Sequence, residues 1–256
     1  MDCCFEITFP LVLECSSTFS ISFDLKAGPK LELNKGIYFF KGDNGSGKTS
    51  FLNMISLVAG SIGPKSTANS GNIQFNNKDY NKDKFTHIRA AEMREKYFCI
   101  FPQKVFFLPV SSYDNYKMLN GSDQLKAKVF SKSEYPDYLS GGQQQKLLMD
   151  IVLDEKKPVW FLDEPLANLD KKMRCYFWKT LDNAYKKELK TICYIDHWLG
   201  EEIESNIDFH YYNSLQVSVT YNKKTNTKLR NIDIFENTLP ERFINKQIKI
   251  IDKNLL

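Results

Sequence analysis

Residues 42–49 read Gly-Asp-Asn-Gly-Ser-Gly-Lys-Thr, the spacing of a phosphate-binding P-loop. Gly42, Gly45 and Gly47 let the backbone curl, so that successive N–H groups of this loop, with Asp43, Asn44 and Ser46 between them, point at phosphate oxygens. A helix starting behind the loop adds its positive end. Lys48 would reach the β- and γ-phosphates, the Thr49 hydroxyl would hold Mg²⁺, and Ser50 would add a phosphate contact. A second cradle stands at residues 139–143, Leu-Ser-Gly-Gly-Gln, where Ser140, Gly141 and Gly142 open a helix and Gln143 follows. Two phosphate cradles in one chain need an explanation.

Other candidates need the P-loop to acquire meaning. Asp163 and Glu164 follow the apolar run Val159–Leu162. Asp163 suits Mg²⁺, and Glu164 is then free to polarise an attacking water as a general base. Gln103 follows the run Phe98–Phe101 and Pro102; beside a nucleotide its amide can touch Mg²⁺ or the lytic water. His197 follows the run Ile192–Ile195, from where it can reach a γ-phosphate. Asp196 has two readings: it orients the His197 ring or it faces solvent.

The elements that must carry these residues are legible in outline. Ile37–Phe40, Phe98–Phe101, Val159–Leu162 and Ile192–Ile195 are short, near-continuous apolar runs, the pattern of parallel strands buried on both faces. Each leads directly into one of the polar groups named above. Ligands of open α/β sheets bind beyond the carboxyl ends of the strands, so all four groups are expected on one edge. Leu52, Ile55 and Val58 or Ala59 recur at helical spacing behind the P-loop, with Gly60 as a stop. A second helix is expected from the 139–143 segment, with Ser140 as N-cap and Leu147, Leu148, Ile151 and Val152 as its buried face. Residues 3–13 and 19–33 alternate weakly, like antiparallel strands; Ile73–Phe75 is a weak strand. Residues 104–138 are mixed and helical in part, and a polar, Asn- and Lys-rich tail follows residue 221.

Composition narrows the class. The chain has 256 residues, enough to bury a sizeable core, and a net charge of only +4 with acids and bases interspersed. That is a solvated surface rather than a nucleic-acid footprint. The six cysteines form no CxxC pair, and Cys99 and Cys193 sit in apolar runs, which reads as a reduced protein with core thiols. The N-terminus does not read as a signal peptide, and no run approaches the ~18 apolar residues of a membrane span.

Taken together, the motifs resemble those of the ABC ATPase family, in the family's order, over about residues 19–213. Walker A is Gly42–Thr49, the Q-loop residue Gln103, the signature Leu139–Gln143 extended by Gln144, Gln145 and Lys146, and Walker B ends at Asp163-Glu164. Ala167-Asn168-Leu169-Asp170 resembles the D-loop, and His197 the switch histidine. The resemblance implies an α/β fold: a P-loop NTPase (RecA-like) core with a mainly parallel sheet, an antiparallel β-subdomain and a small helical subdomain at about 104–150. The expected nucleotide-binding domain is 1–220, with a C-terminal extension at 221–256. The family also stacks an aromatic residue on adenine; Phe19 is the first choice and Phe23 the reserve, each with a core phenylalanine as the competing reading. Lys146 stands where the family often has arginine, and the stretch between Gln103 and Ser140 is short for the family's helical lobe.

The implied cofactors are ATP and Mg²⁺. Members of the family pair two domains head to tail, so the signature of one closes over the ATP of the other. The expected partners are therefore a second ABC ATPase domain, as homodimer or heterodimer, and an integral membrane transporter subunit. The expected location is cytoplasmic, peripheral on the inner (cell) membrane. The alternative is a soluble ABC-type assembly ATPase, like those serving iron–sulfur clusters. Relatives acting on DNA insert long coiled coils between Walker A and signature, and here fewer than a hundred residues lie between Thr49 and Leu139, without heptads.

Overall fold

Apolar runs of four or five residues have no polar face to offer solvent, and the chain buries them as adjacent strands. The computed structural model describes residues 5–9, 11–14, 20–25, 30–58, 71–76, 78–79, 87–104, 106–120, 134–153, 157–167, 169–188, 190–196, 212–222 and 227–235. The four expected strands are β5 (Gly36–Lys41), β8 (Phe98–Phe101), β9 (Val159–Asp163) and β10 (Thr191–Ile195). Every residue of β9 and β10 is buried, as strands covered on both faces require. With β11 (Tyr212–Asn222) they form a parallel block in the order β11-β5-β10-β9-β8. Register aligns the carboxyl ends: Ile195 lies opposite Phe40 on one side and Asp163 on the other, and Phe101 opposite Leu162.

The same sheet continues past β11 through β12 (Thr227–Phe235), β3 (Ser20–Leu25) and β2 (Leu11–Glu14). Strand β12 runs antiparallel to β11 and parallel to β3. The boundary expected at residue 220 therefore falls inside β11, and β12 lies wholly beyond it while paired on both edges. Nothing alternates cleanly in Thr-Lys-Leu-Arg-Asn-Ile-Asp-Ile-Phe, so its sequence reads as polar tail.

A second, antiparallel sheet has the order β4-β1-β6-β7, from β1 (Phe5–Thr8), β4 (Lys30–Leu33), β6 (Ile73–Phe75) and β7 (Lys78–Asp79). Phe5 of this sheet meets Phe98 and Phe161 of the parallel block, and Phe75 meets Phe98, with ring centroids 5.3–5.8 Å apart. These edge-to-face and tilted rings lock the two sheets together.

Helices cover the parallel block. Helix α1 (Lys48–Ile55) follows the P-loop and buries Phe51, Leu52, Met54 and Ile55. It ends earlier than its spacing suggests. Leu57 turns to φ 63° and takes the buried position, leaving Val58 exposed; Ala59 and Gly60 lie outside the described residues. Helix α2 (His87–Tyr97) precedes β8. Helix α5 (Lys171–Glu188) packs Phe177, Trp178 and Leu181 against β10 and β5 side chains, including Tyr194 and Phe39. Helices α3 (Ser112–Asn120) and α4 (Gly141–Val152) share a small core of their own around Tyr116, Leu139, Leu147 and Ile151. Cys99 and Cys193 are buried as expected, and burial pushes the Cys193 thiol well up.

Candidate nucleotide site

The P-loop closes over the carboxyl end of β5. Gly42, Gly45 and Gly47 all have positive φ, at 145°, 76° and 102°. A side chain at Gly45 would meet no atom within 4 Å, so it is the backbone angle and not crowding that calls for glycine there. Gly47 then caps α1 in the left-handed region, which turns the chain into the helix.

Inside the loop, Lys48 is 6% exposed, and its Nζ donates to the carbonyl oxygens of Gly42 at 2.7 Å and Asp43 at 3.0 Å. Burial holds its ammonium below the ordinary lysine value, while the charges of Glu164, Asp163 and Asp43 act in the opposite direction. Ser46 is 2% exposed, and its Oγ has no hydrogen-bond partner among the described residues. An orphaned buried hydroxyl among curled amides fits a loop shaped around an anion. Thr49 Oγ1 donates to Asp163 Oδ1 at 3.3 Å, so P-loop and Walker B oxygens converge. Such hard oxygen donors suit Mg²⁺.

Glu164 stands just beyond β9 with φ 51°, a left-handed conformation costing a non-glycine residue about 1–3 kcal/mol. Hydrogen bonds hold both its backbone and its carboxylate. Its N–H donates to Ile195 O at 2.8 Å, and its carbonyl accepts from Ala167 N at 3.2 Å and from Gln145 Nε2 at 3.5 Å. Its carboxylate accepts from Gln103 Nε2 at 3.0 Å. Asn44, Gly45, Gly47, Lys48, Thr49, Ser50, Gln103 and Glu164 line one cleft of about 530 Å³.

The signature lies elsewhere. Ser140 caps α4 with a full capping box: its Oγ accepts from Gln143 N at 3.4 Å, and its N–H donates to Gln143 Oε1 at 2.8 Å. Ser140, Gly141 and Gln143 are exposed, and no residue of 139–143 lines the cleft. Asp196 accepts a hydrogen bond from Tyr194 Oη at 2.9 Å. His197, Phe19 and Asn168 lie outside the described residues. Phe23, the reserve for adenine stacking, is fully buried against Phe51 with centroids 5.3 Å apart; it is a core phenylalanine.

One participant has no separate signal in sequence. Gln145 is 3% exposed and reaches from α4 to the turn after Walker B. A buried glutamine amid Leu147, Leu148 and Met149 looks like a tolerated helix residue until its partners are seen.

Residues 21–167 match the family model described as ABC transporter, over more than half of the chain. The chain belongs to the ABC transporter family. The matched span of this family member contains the P-loop, Gln103, the signature and Walker B. It is 27% identical over 218 residues to an ABC transporter ATP-binding protein of Staphylococcus aureus (strain COL), covering 74% of this chain and 36% of that protein. It is 26% identical over 182 residues to the sulfate/thiosulfate import ATP-binding protein CysA 1 of Shewanella oneidensis, covering 64% and 45%. The chain thus spans about a third of the staphylococcal relative's length and under half of the Shewanella one's. Among solved structures, it superposes on the dimeric ATP-binding cassette MJ0796 bound to ADP and Pi with TM-score 0.62 and 17% identity, covering 84% of this chain and 94% of the other. It also superposes on cbiO1 from Clostridium perfringens, part of the ABC transporter complex cbiONQ, with TM-score 0.56 and 21% identity over 83% and 84%. At these identities the likeness is one of fold.

Proposed function

We propose that this chain is an ATP-binding and ATP-hydrolysing component of an ABC transporter, working as a pair of cassettes beneath a separate membrane subunit. One observation carries the reading. A single cleft gathers Lys48, Thr49, Gln103 and Glu164, while Ser140, Gly141 and Gln143 of the signature are exposed outside it.

In this reading the P-loop amides and Lys48 hold the β- and γ-phosphates. Thr49 and Asp163 would hold Mg²⁺ through oxygen, with Gln103 adding its amide oxygen, and the bound ion would supply neutralisation of the phosphate charge. Glu164 accepts a proton from water as the water oxygen bonds to the γ-phosphorus; the bond to the β–γ bridging oxygen breaks, and ADP and phosphate leave. Gln103 already donates to this carboxylate, which places the two at one point of the cleft. His197 is assigned to the γ-phosphate and Phe19 to the adenine ring.

An exposed second cradle needs ATP held by another cassette, and the resulting dimer, of identical or related chains, encloses two ATP molecules. ATP is then the differential contact that favours the closed pair, and hydrolysis opens it. The dimeric state of the MJ0796 cassette with ADP and Pi supports this arrangement. No helix of the described residues is long and apolar enough to cross a membrane, and this reading assigns the membrane step to a partner. The cbiONQ complex around cbiO1 supports such a partner.

The test is detergent extraction of the native complex, pull-down through this chain and a phosphate-release assay. Co-purification of an integral membrane protein with ATP hydrolysis is expected. An active ATPase that captures only soluble proteins would overturn the transport role and leave the assembly-ATPase alternative.

A further inference from the structure

The signature helix and the catalytic turn are joined by one side chain. Gln145 sits five residues after Ser140 on α4, and its Nε2 donates to Pro165 O at 3.2 Å and Glu164 O at 3.5 Å. Both Gln145 and Pro165 are buried. The turn they share is the one in which Glu164 adopts its left-handed backbone. A strained residue persists only where its surroundings over-determine it. Two of the contacts holding Glu164 are backbone to backbone, from Ile195 O and Ala167 N. The Gln145 amide adds a contact from α4.

We propose that Gln145 is a positioning residue for ATP hydrolysis: its amide braces the Glu164–Pro165 turn from the signature helix and keeps the Glu164 carboxylate in the nucleotide cleft. This rests on reading Glu164 as the general base. Gln145 touches none of the P-loop bonds made by Lys48 or Thr49, so its action falls on turnover and not on nucleotide affinity. The helix that presents Ser140 to a second cassette also steadies the base of its own site. Engagement of the signature therefore has a short route to the chain's own Glu164, along α4 to Gln145 and across its hydrogen bond.

The experiment uses the full chain with Gln145→Met, which keeps length and burial but has no donor, alone and combined with Glu164→Gln. ATP binding is measured by equilibrium dialysis, and kcat and KM by phosphate release. Expected are ATP affinity and KM within about twofold of wild type and kcat lower by roughly 10- to 100-fold, the scale of a misplaced catalytic group. Adding Gln145→Met to Glu164→Gln should cost nothing further, because the two act through one group. If Gln145→Met does not fold, Gln145→Asn replaces it; its amide falls one methylene short of both carbonyls. Wild-type kcat overturns the proposal. So does a loss of ATP affinity in step with kcat, or an effect that multiplies with Glu164→Gln, each of which marks a general structural role. Wild-type turnover in Glu164→Gln alone removes the base assignment itself, whereas a slow Glu164→Gln with a normal Gln145→Met removes only the role of Gln145.

Discussion

Gln103 Nε2 donates to Glu164 Oε1 across 3.0 Å, tying the residue beyond β8 to the residue beyond β9. The bond makes Glu164→Gln an informative substitution. A glutamine can present the same acceptor oxygen to Gln103, so the local structure survives, but it cannot take a proton from water. Phosphate release should slow by about 100-fold or more, the usual loss of a general base, with ATP affinity retained. Turnover at the wild-type rate would remove Glu164 from the chemistry.

Lys48→Ala tests the floor of the site. The ammonium bridges Gly42 O and Asp43 O and stands in the cleft lining, so its loss removes charge-assisted hydrogen bonds to both loop and phosphate. Each such bond is worth about 1.5–3 kcal/mol, so ATP affinity should fall at least 10-fold to 100-fold. Isothermal titration reads the change directly. Unaltered affinity would contradict the phosphate role of the loop.

The same lysine predicts a pH dependence. Burial lowers its folded-state pKa, so the nucleotide-free chain gains stability as pH rises from that lowered value to the ordinary one. Phosphate contact favours the charged form and raises the pKa again. ATP binding should therefore take up protons on the alkaline side and weaken as pH rises through the lowered value, below where an ordinary lysine titrates. Titrations in two buffers of different ionisation enthalpy measure the uptake. Affinity that stays flat to the ordinary lysine range would show that Lys48 is not the titrating contact.

What the sequence makes legible here is what local pattern can encode. The four buried runs read as strands because nothing in them tolerates water, and the polar groups at their ends follow. Ser140 is the N-cap that the sequence suggests, and in space Gln143 completes a capping box with it. What escaped depends on partners far along the chain. Helix α1 stops at Ile55 because Leu57 turns left-handed, a choice no periodicity records. Lys190 is 2% exposed, donating to Lys157 O at 2.8 Å with its Nζ 5.3 Å from the Trp160 ring centre, an arrangement that local pattern does not record. Strand β12 is invisible because its mixed residues are organised by neighbours on both sides.

Ser140→Arg separates holding ATP from using it. Ser140 is exposed, outside the cleft, and among the described residues its hydrogen bonds stay at the helix start, with Gln143 and Gln144. A large cation there obstructs a second cassette without reaching Lys48 or Thr49. Losing the cap costs about 1 kcal/mol of helix stability, small enough for the fold to persist. In the Glu164→Gln background, ATP should shift the parent chain to a dimer on gel filtration, and adding Ser140→Arg should abolish that shift. Binding of ATP by the monomer should stay within about twofold, since no P-loop contact changes. If monomer binding collapses instead, the signature belongs to the same chain's site, and pairing across two cassettes is the wrong account of the second cradle.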